Sequence, residues 1–347
     1  MPQEIDLYRT PSIQAKRQEC FVSLRSLILV AMAVISSLGC ISAPVSEVPS
    51  ITLHIGYQPS THQIAEMIAR DMGWWHRDLK PFGVTGIEEF GFSSGPPEAQ
   101  AMMVGDLDIA YIGTSPLVAA ISNGLDAKIV AGVNTNGSDL ILKPGLPFAG
   151  PMSLSGLTIG TFPPGSVQDM VLRKWLFDSG VDLSRVRILY MGPGDGVAAM
   201  FAGKVDGVFL PAPSASLLEL DGSGRKVITS GQMWPGHACC SLAVSGKLIR
   251  ERPDLVAQIV RTHINATDYV NSHQEEAAEI YANATGQDLE MVKRSMDDWG
   301  GSWTSDPGHQ VSSTMNYSRM GLDLNYTLTR MEDCDIFDDD FYCQAVL

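Results

Sequence analysis

Three observations in this 347-residue chain predict an α/β protein of two lobes, each a sheet flanked by helices, with a helical segment at its C-terminal end. Strand and helix signals alternate from about residue 51 to residue 245, which is the pattern of open α/β sheets. A stretch from Phe92 to Pro116 is answered by a second from Gly192 to Pro213: Gly105 matches Gly203, Asp108 matches Asp206, and Pro116 matches Pro213 one register earlier. Similarity at a fixed offset points to two related half-units. Beyond Gly246 the strand signals give way to helical ones.

Taken in order, Ile51-Thr-Leu-His-Ile-Gly56 alternates like a strand, and Tyr57 to His62 forms the loop at its carboxyl end. Ile64, Met67, Ile68 and Met72 recur at helical spacing, and Gly73 stops that helix. A strand follows around Ile87 to Phe90. Pro96 and Pro97 suit a first helical turn, Glu98 complements its positive end and Gly105 ends it, so Glu98 to Val104 is expected to be helical. Leu107 to Ile112 is the next strand, and in Gly113-Thr-Ser-Pro116 either Thr114 or Ser115 can cap a helix starting at Pro116. Ala127 to Val133 is a strand, and Asn134 to Ser138 a turn.

The second half-unit restarts with a strand at Leu157 to Gly160, a loop Thr161 to Ser166 and a helix Val167 to Ser179 ended by Gly180. Strands are expected at Val186 to Tyr190, Lys226 to Ser230 and Cys240 to Val244. Helices are expected at Pro253 to Ser272, Glu275 to Ala284, Leu289 to Trp299 and near Gln310 to Leu322.

Composition narrows the function. A formal charge of -15 excludes a nucleic-acid partner, because phosphate binding needs clustered Lys and Arg. It leaves open a small anion held by backbone dipoles. Arg9, Lys16, Arg17 and Arg25 precede an apolar run from Ser26 to Gly39 that is shorter than the ~20 residues a spanning helix needs, so residues 1–39 read as an export leader. Leu38-Gly39-Cys40 resembles a lipoprotein processing site, which implies cleavage and acylation at Cys40; cleavage nearby at Ala43 is the alternative. Residues 40–50, rich in Ser, Pro and Val, then form a tether.

Export places the remaining cysteines where disulfides persist, and Cys334 with Cys343 can close the acidic tail. Adjacent Cys239 and Cys240 read as small core residues of an apolar strand. No Cys-x-x-Cys or His-x-x-x-His spacing suggests a metal, and the Asp338 to Asp340 run reads as a solvated surface. No Gly-x-Ser-x-Gly elbow supports nucleophilic catalysis. Gly192-x-Gly-x-Gly196 lacks the further glycine of the dinucleotide fingerprint and reads as a turn near the ligand or a hinge.

Gly56-Tyr57-Gln58-Pro59, Ser94-Gly95, Gly105-Asp-Leu-Asp108 with Ile109 to Gly113, Gly160 with Gly165-Ser166, Gly203-Lys-Val-Asp206 and His237-Ala-Cys-Cys240 follow one another in an order that resembles a family. That family is the type II periplasmic-binding-protein-like solute-binding proteins of ABC importers, in the branch for nitrate, sulfonates, taurine or pyrimidine precursors. The resemblance implies two lobes that close over a ligand, joined by strands crossing near Ala131–Asn134 and Cys239–Ser241. It divides the chain into residues 51–133 for the first lobe, 134–239 for the second, and 240–347 for a return to the first. It implies a monomer without cofactor or catalysis, outside the cytoplasmic membrane, that hands a small anionic solute to a permease. Two other readings stand beside it: a pyrimidine-precursor synthase-like enzyme, and a non-transport extracellular sensor.

The ligand-facing residues are expected at strand ends: Gln58, Ser60 and Thr61; Ser94 and Gly95; Thr114 and Ser115; Gly165 and Ser166. Each set joins a small polar group to the exposed N–H groups of a helix start, which suits an oxyanion. Trp234 is expected to wall the cleft, and His237 to donate to the anion.

Overall fold

The computed structural model describes residues 50–347; the leader, Cys20, Cys40 and nearly all of the tether lie outside the described residues. Its strands are β1 (Ile51–Tyr57), β2 (Val84–Gly91), β3 (Ile109–Gly113), β4 (Ala127–Thr135), β5 (Ser138–Leu142), β6 (Thr158–Thr161), β7 (Arg187–Tyr190), β8 (Gly207–Pro211), β9 (Arg225–Thr229), β10 (Ala238–Ser245) and β11 (Ser302–Trp303). They form one sheet in the order β11-β4-β10-β3-β1-β2 and another in the order β7-β6-β8-β5-β9. Mixed α/β architecture with two helix-flanked sheets is what the sequence predicts.

The central strands of each sheet are buried on both faces, and strand periodicity shows how. In β3, Ile109 and Tyr111 join the core under helices Ile64–Asp71 and Pro253–Ser272, while Ala110 and Ile112 join a separate core with Ala99, Met102, Leu117 and Val118. Successive side chains of a strand point to opposite faces, so a strand covered twice reads as a continuous apolar run. The second sheet does the same: Leu140, Leu142 and Phe209 face one core, Ile141, Val208 and Leu210 the other.

The chain passes from the first sheet to the second between β4 and β5, and returns between β9 and β10. Each crossing pair lies side by side, since β4 pairs with β10 and β5 with β9. At the first crossing Asn136 (φ 56) and Gly137 (φ 94) are both left-handed and turn the chain out of β4. The amide of Asn136 donates to His237 O at 3.0 Å, and the amide of Ser138 donates to Ser230 Oγ at 3.1 Å, tying the two crossings together.

The internal repeat has a structural cause. Asp108 accepts from the amide of His54 in β1 at 3.0 Å, and Asp206 accepts from the amide of Thr158 in β6 at 2.8 Å. Both aspartates thus secure the corresponding strand of their own sheet, β1 in one and β6 in the other, after glycines with φ of 87 and 64 at Gly105 and Gly203.

Three elements depart from the sequence reading. β5 was not anticipated as a strand, and its first residue, Ser138, was expected to end a turn; its start is polar, but Asp139 is buried 3.8 Å from Lys226 Nζ, and burial pushes its pKa up to about 6. Gly73 does end the first helix, at φ 66, yet the chain re-enters a helix at once over Trp74–Leu79, burying Trp75 and Leu79. The acidic tail is not merely solvated: Ile336, Phe337 and Phe341 are buried, and the amide of Asp338 bonds Ile129 O at 2.9 Å. No disulfide joins Cys334 to Cys343. They stand on two short helices, Asp333–Ile336 and Asp340–Val346, and apolar packing fastens the tail where a bridge was expected. Among the described residues, no helix is long and apolar enough to cross a membrane.

Candidate functional site

A cavity of about 630 Å³ lies between the two sheets, walled by residues from both and by the C-terminal helical segment through Tyr281, Gln287, Asp288 and Met291. Five helices of nine or more residues begin at this wall: Leu289–Asp297 of the C-terminal segment, capped by the carboxylate of Asp288, and two from each lobe. Those of the lobes are Gly95–Met103 and Thr114–Ser122 from the first, Val167–Asp178 and Pro193–Phe201 from the second. The first N–H groups of a helix lack partners within it, so the cavity collects the positive ends of backbone dipoles from both lobes. Among its lining residues there is no Lys or Arg. Its neutral polar side chains include Gln58, Ser60, Gln63, Ser166, Gln168 and Ser214, and one carboxylate, Asp288, also lines it.

Of the expected residues, the cavity takes Gln58, Ser60, Gly95 and Ser166. Gln58 is fixed from below, its amide donating to Glu98 Oε2 at 2.8 Å. Glu98 is fully buried, and desolvation lifts its pKa well above the usual carboxyl range. Ser166 caps its helix by accepting from the amide of Asp169 at 3.2 Å. Pro193 and Gly194 also line the wall, so the glycine-rich turn at Gly192 is a helix start facing the cleft.

The other residues serve the scaffold. Thr61 is buried, and its carbonyl accepts from Trp303 Nε1 at 2.8 Å. Ser94 is the N-cap residue of the helix from Gly95 but makes no side-chain cap bond. Thr114 and Ser115 lie inside a helix that starts two residues before Pro116, so neither caps it. Thr114 Oγ1 bonds Ser241 Oγ at 2.7 Å, within a buried network that runs on from Ser241 to Gln310 and from Gln310 to the carbonyls of Asn134 and Cys240. Ser115 Oγ donates to Gly165 O at 2.9 Å, and Tyr326 OH donates to Asp169 Oδ2 at 3.3 Å; these bonds latch the lobes at the cleft edge.

Trp234 and His237 are corrections to the expected site. The Trp234 ring packs edge-on against Tyr317 with centroids 5.1 Å apart, and Lys174 Nζ lies 5.2 Å from its centroid. His237 is fully buried beside Tyr317, and burial lowers its pKa to about 4, so it enters the fold neutral. Neither lines the cavity. The turn before β10 folds them inward, because packing rings against Tyr317 removes apolar surface from water.

His237→Gln is therefore expected to leave solute affinity unchanged from mildly acidic to mildly alkaline pH while lowering the melting temperature. A histidine held neutral stabilises the fold fully above its unfolded value of 6.5 and loses that contribution as pH falls toward 4. The stability deficit of the variant should accordingly shrink on acidification; calorimetric titration and thermal melts read both.

Sequence reasoning missed His62, Gln63 and the role of the cysteine pair. His62, Cys239 and Cys240 line the cavity, and one ligand atom of each lies within 4.8 Å of the others. His62 Nε2 donates to Gly137 O at 2.7 Å, and Nδ1 lies 3.2 Å from Cys239 Sγ. The two sulfurs are 3.8 Å apart, and Gln63 Nε2 donates to Cys240 Sγ at 3.4 Å. The Cys239 thiol bonded to it lowers the pKa of Cys240. Consecutive strand residues ordinarily point to opposite faces; the register of β10 slips around Cys240, where the strand leaves strict alternation.

Comparison with known proteins agrees with this geometry. The chain is 25% identical over 250 residues to the taurine-binding periplasmic protein of Escherichia coli strain K12, covering 71% of this chain and 72% of that one. The alkanesulfonate-binding protein SsuA from Xanthomonas axonopodis pv. citri, solved bound to MOPS, superposes with a TM-score of 0.71 at 21% identity over 82% of this chain and 98% of its own. The periplasmic nitrate-binding protein NrtA from Synechocystis PCC 6803 gives a TM-score of 0.74 at 17% identity over 86% and 88%. These likenesses establish the two-lobed periplasmic-binding-protein-like fold. Residues 46–285, well over half of the chain, match the NMT1-like family, and the protein belongs to that family.

Proposed function

We propose that this protein is the extracytoplasmic solute-binding component of an ABC importer, and that it captures a small oxyanion such as a sulfonate, taurine or nitrate between its lobes. The observation that carries this reading is the start of four helices, two from each lobe, at the wall of one cleft. A helix N-terminus offers N–H donors and a positive dipole end, and both act more strongly in a closed cleft of low dielectric. Gln58, Ser60 and Ser166 supply neutral donors beside them. The same reading takes the chain to be a binding protein and not an enzyme, held outside the membrane through Cys40 and docking on a permease. The relatives named above support it by what they bind.

A thermal-shift series with taurine, an alkanesulfonate and nitrate is the test. A ligand at a hundred times its dissociation constant adds ~2.7 kcal/mol to stability, which a melt detects. The expected result is a raised melting temperature with at least one of them. A rise with cationic or apolar solutes alone would overturn the anion assignment.

A further inference from the structure

We propose that His62, Cys239 and Cys240 form a zinc-type metal site in the wall of the cleft, with its open coordination position facing the bound solute. The three residues are at most 5% exposed, yet all three line the cavity. Two thiolates at ~2.3 Å from a tetrahedral Zn²⁺ stand ~3.8 Å apart, and Cys239 Sγ and Cys240 Sγ are separated by 3.8 Å. Zn–N bonds are ~2.0–2.1 Å, so an imidazole nitrogen on the same ion lies ~3.5 Å from each sulfur; His62 Nδ1 is 3.2 Å from Cys239 Sγ.

The imidazole is held as a metal ligand requires. Gly137 O can only accept, so Nε2 carries a hydrogen and Nδ1, 3.2 Å from Cys239 Sγ, is the ring nitrogen left to bind a metal. Metal-bound histidines ordinarily donate their other ring N–H to a carbonyl or carboxylate in this way. Two thiols and one imidazole suit a thiophilic cation, and three protein ligands leave a fourth position for a water or a solute oxygen.

Such an ion would also supply what the cleft lacks, since no Lys or Arg lines it. A bound divalent cation is the largest local charge in a site. The link to an anionic solute rests on the function proposed above; the metal site does not.

The test titrates the full, reduced chain with Zn²⁺ against a chromophoric chelator, and with Co²⁺ as a spectroscopic stand-in. We expect one tightly held Zn²⁺ per chain and a thiolate-to-cobalt absorption. That absorption should persist in Cys334→Ser and vanish in Cys239→Ser and in Cys240→Ser. Circular dichroism of each variant separates lost ligands from lost folding. A cobalt spectrum of the unaltered chain without thiolate absorption overturns the site whatever the variants do, as does absorption unchanged in both folded variants. Taurine and nitrate are then titrated into metal-free and zinc-loaded protein. At least tenfold tighter binding to the loaded form supports the link to the solute, and equal affinity overturns it. If neither form binds any anion, the proposed function fails, and the metal titration alone decides the site.

Discussion

Gly137→Ala is expected to destabilise the protein by roughly 2–5 kcal/mol, the sum of two separate costs. Gly137 has φ +94, a conformation that costs an L-residue about 1–2 kcal/mol. An added Cβ would also lie 2.2 Å from Trp299 Nε1 and 2.9 Å from His62 Nε2, and overpacking of this kind costs about 1–3 kcal/mol more. Gly73→Ala is the internal control: its φ is +66, but nothing lies within 4 Å of a Cβ there, so only the backbone cost applies. Denaturant unfolding should rank the two variants clearly apart. Equal losses would mean that Trp299 yields without resistance and that the crossing from β4 to β5 is not packed as described. Because the clash falls on the His62 ring, Gly137→Ala also weakens the hold on that side chain from its far edge.

The fold was legible where one physical cause dominated the pattern. The helix Pro253–Ser272 keeps its expected bounds because Leu255, Val256, Ile259, Val260, His263, Ala266, Thr267 and Val270 recur at helical spacing along one buried face. The paired aspartates Asp108 and Asp206 announced two half-units because each performs the same backbone bond in its own lobe. β5 was hidden, since Ser138 and Asp139 look like turn residues until Ser230 and Lys226 arrive from the returning chain to satisfy them. Pairing across such a distance along the chain leaves no local signal.

The site was legible only in part, for a related reason. Caps and ligand-facing loops share the same residue types, so Thr114 and Ser115 read like Ser166 in sequence. Which of them meets the cavity depends on where a helix starts: Thr114–Ser122 begins two residues before Pro116 and turns both hydroxyls to protein partners. Trp234 and His237 were drawn inward by Tyr317, some eighty positions along the chain. His62 was passed over because Cys239 lies 177 residues away, with Cys240 next to it, and the three match no short metal spacing.

Replacing Glu66 with Gln is expected to stabilise the protein increasingly as pH rises. Glu66 sits in the first turn of helix Ile64–Asp71 and is fully buried; Trp75 is near enough to donate weakly, and neither carboxylate oxygen makes a hydrogen bond of good geometry. Arg70 Nη1 is 3.8 Å away, too far for a good bond, and itself donates to Tyr57 OH at 2.9 Å. Desolvation therefore outweighs the attraction of Arg70 and lifts the pKa of Glu66 from 4.5 to about 8. The sign follows from proton counting. Below 4.5 both states hold the proton and nothing is lost; between 4.5 and about 8 the unfolded chain has released it while the folded chain keeps it. Each pH unit in that window costs about 1.4 kcal/mol, to a ceiling of roughly 5 kcal/mol. Glutamine has the same shape and no proton to lose, so Glu66→Gln should unfold at nearly the wild-type urea concentration near about pH 5 and at a clearly higher one near about pH 8. A gap that does not widen with pH would mean that Glu66 is ionised in the native state and that its pairing with Arg70, not burial, governs the first helix.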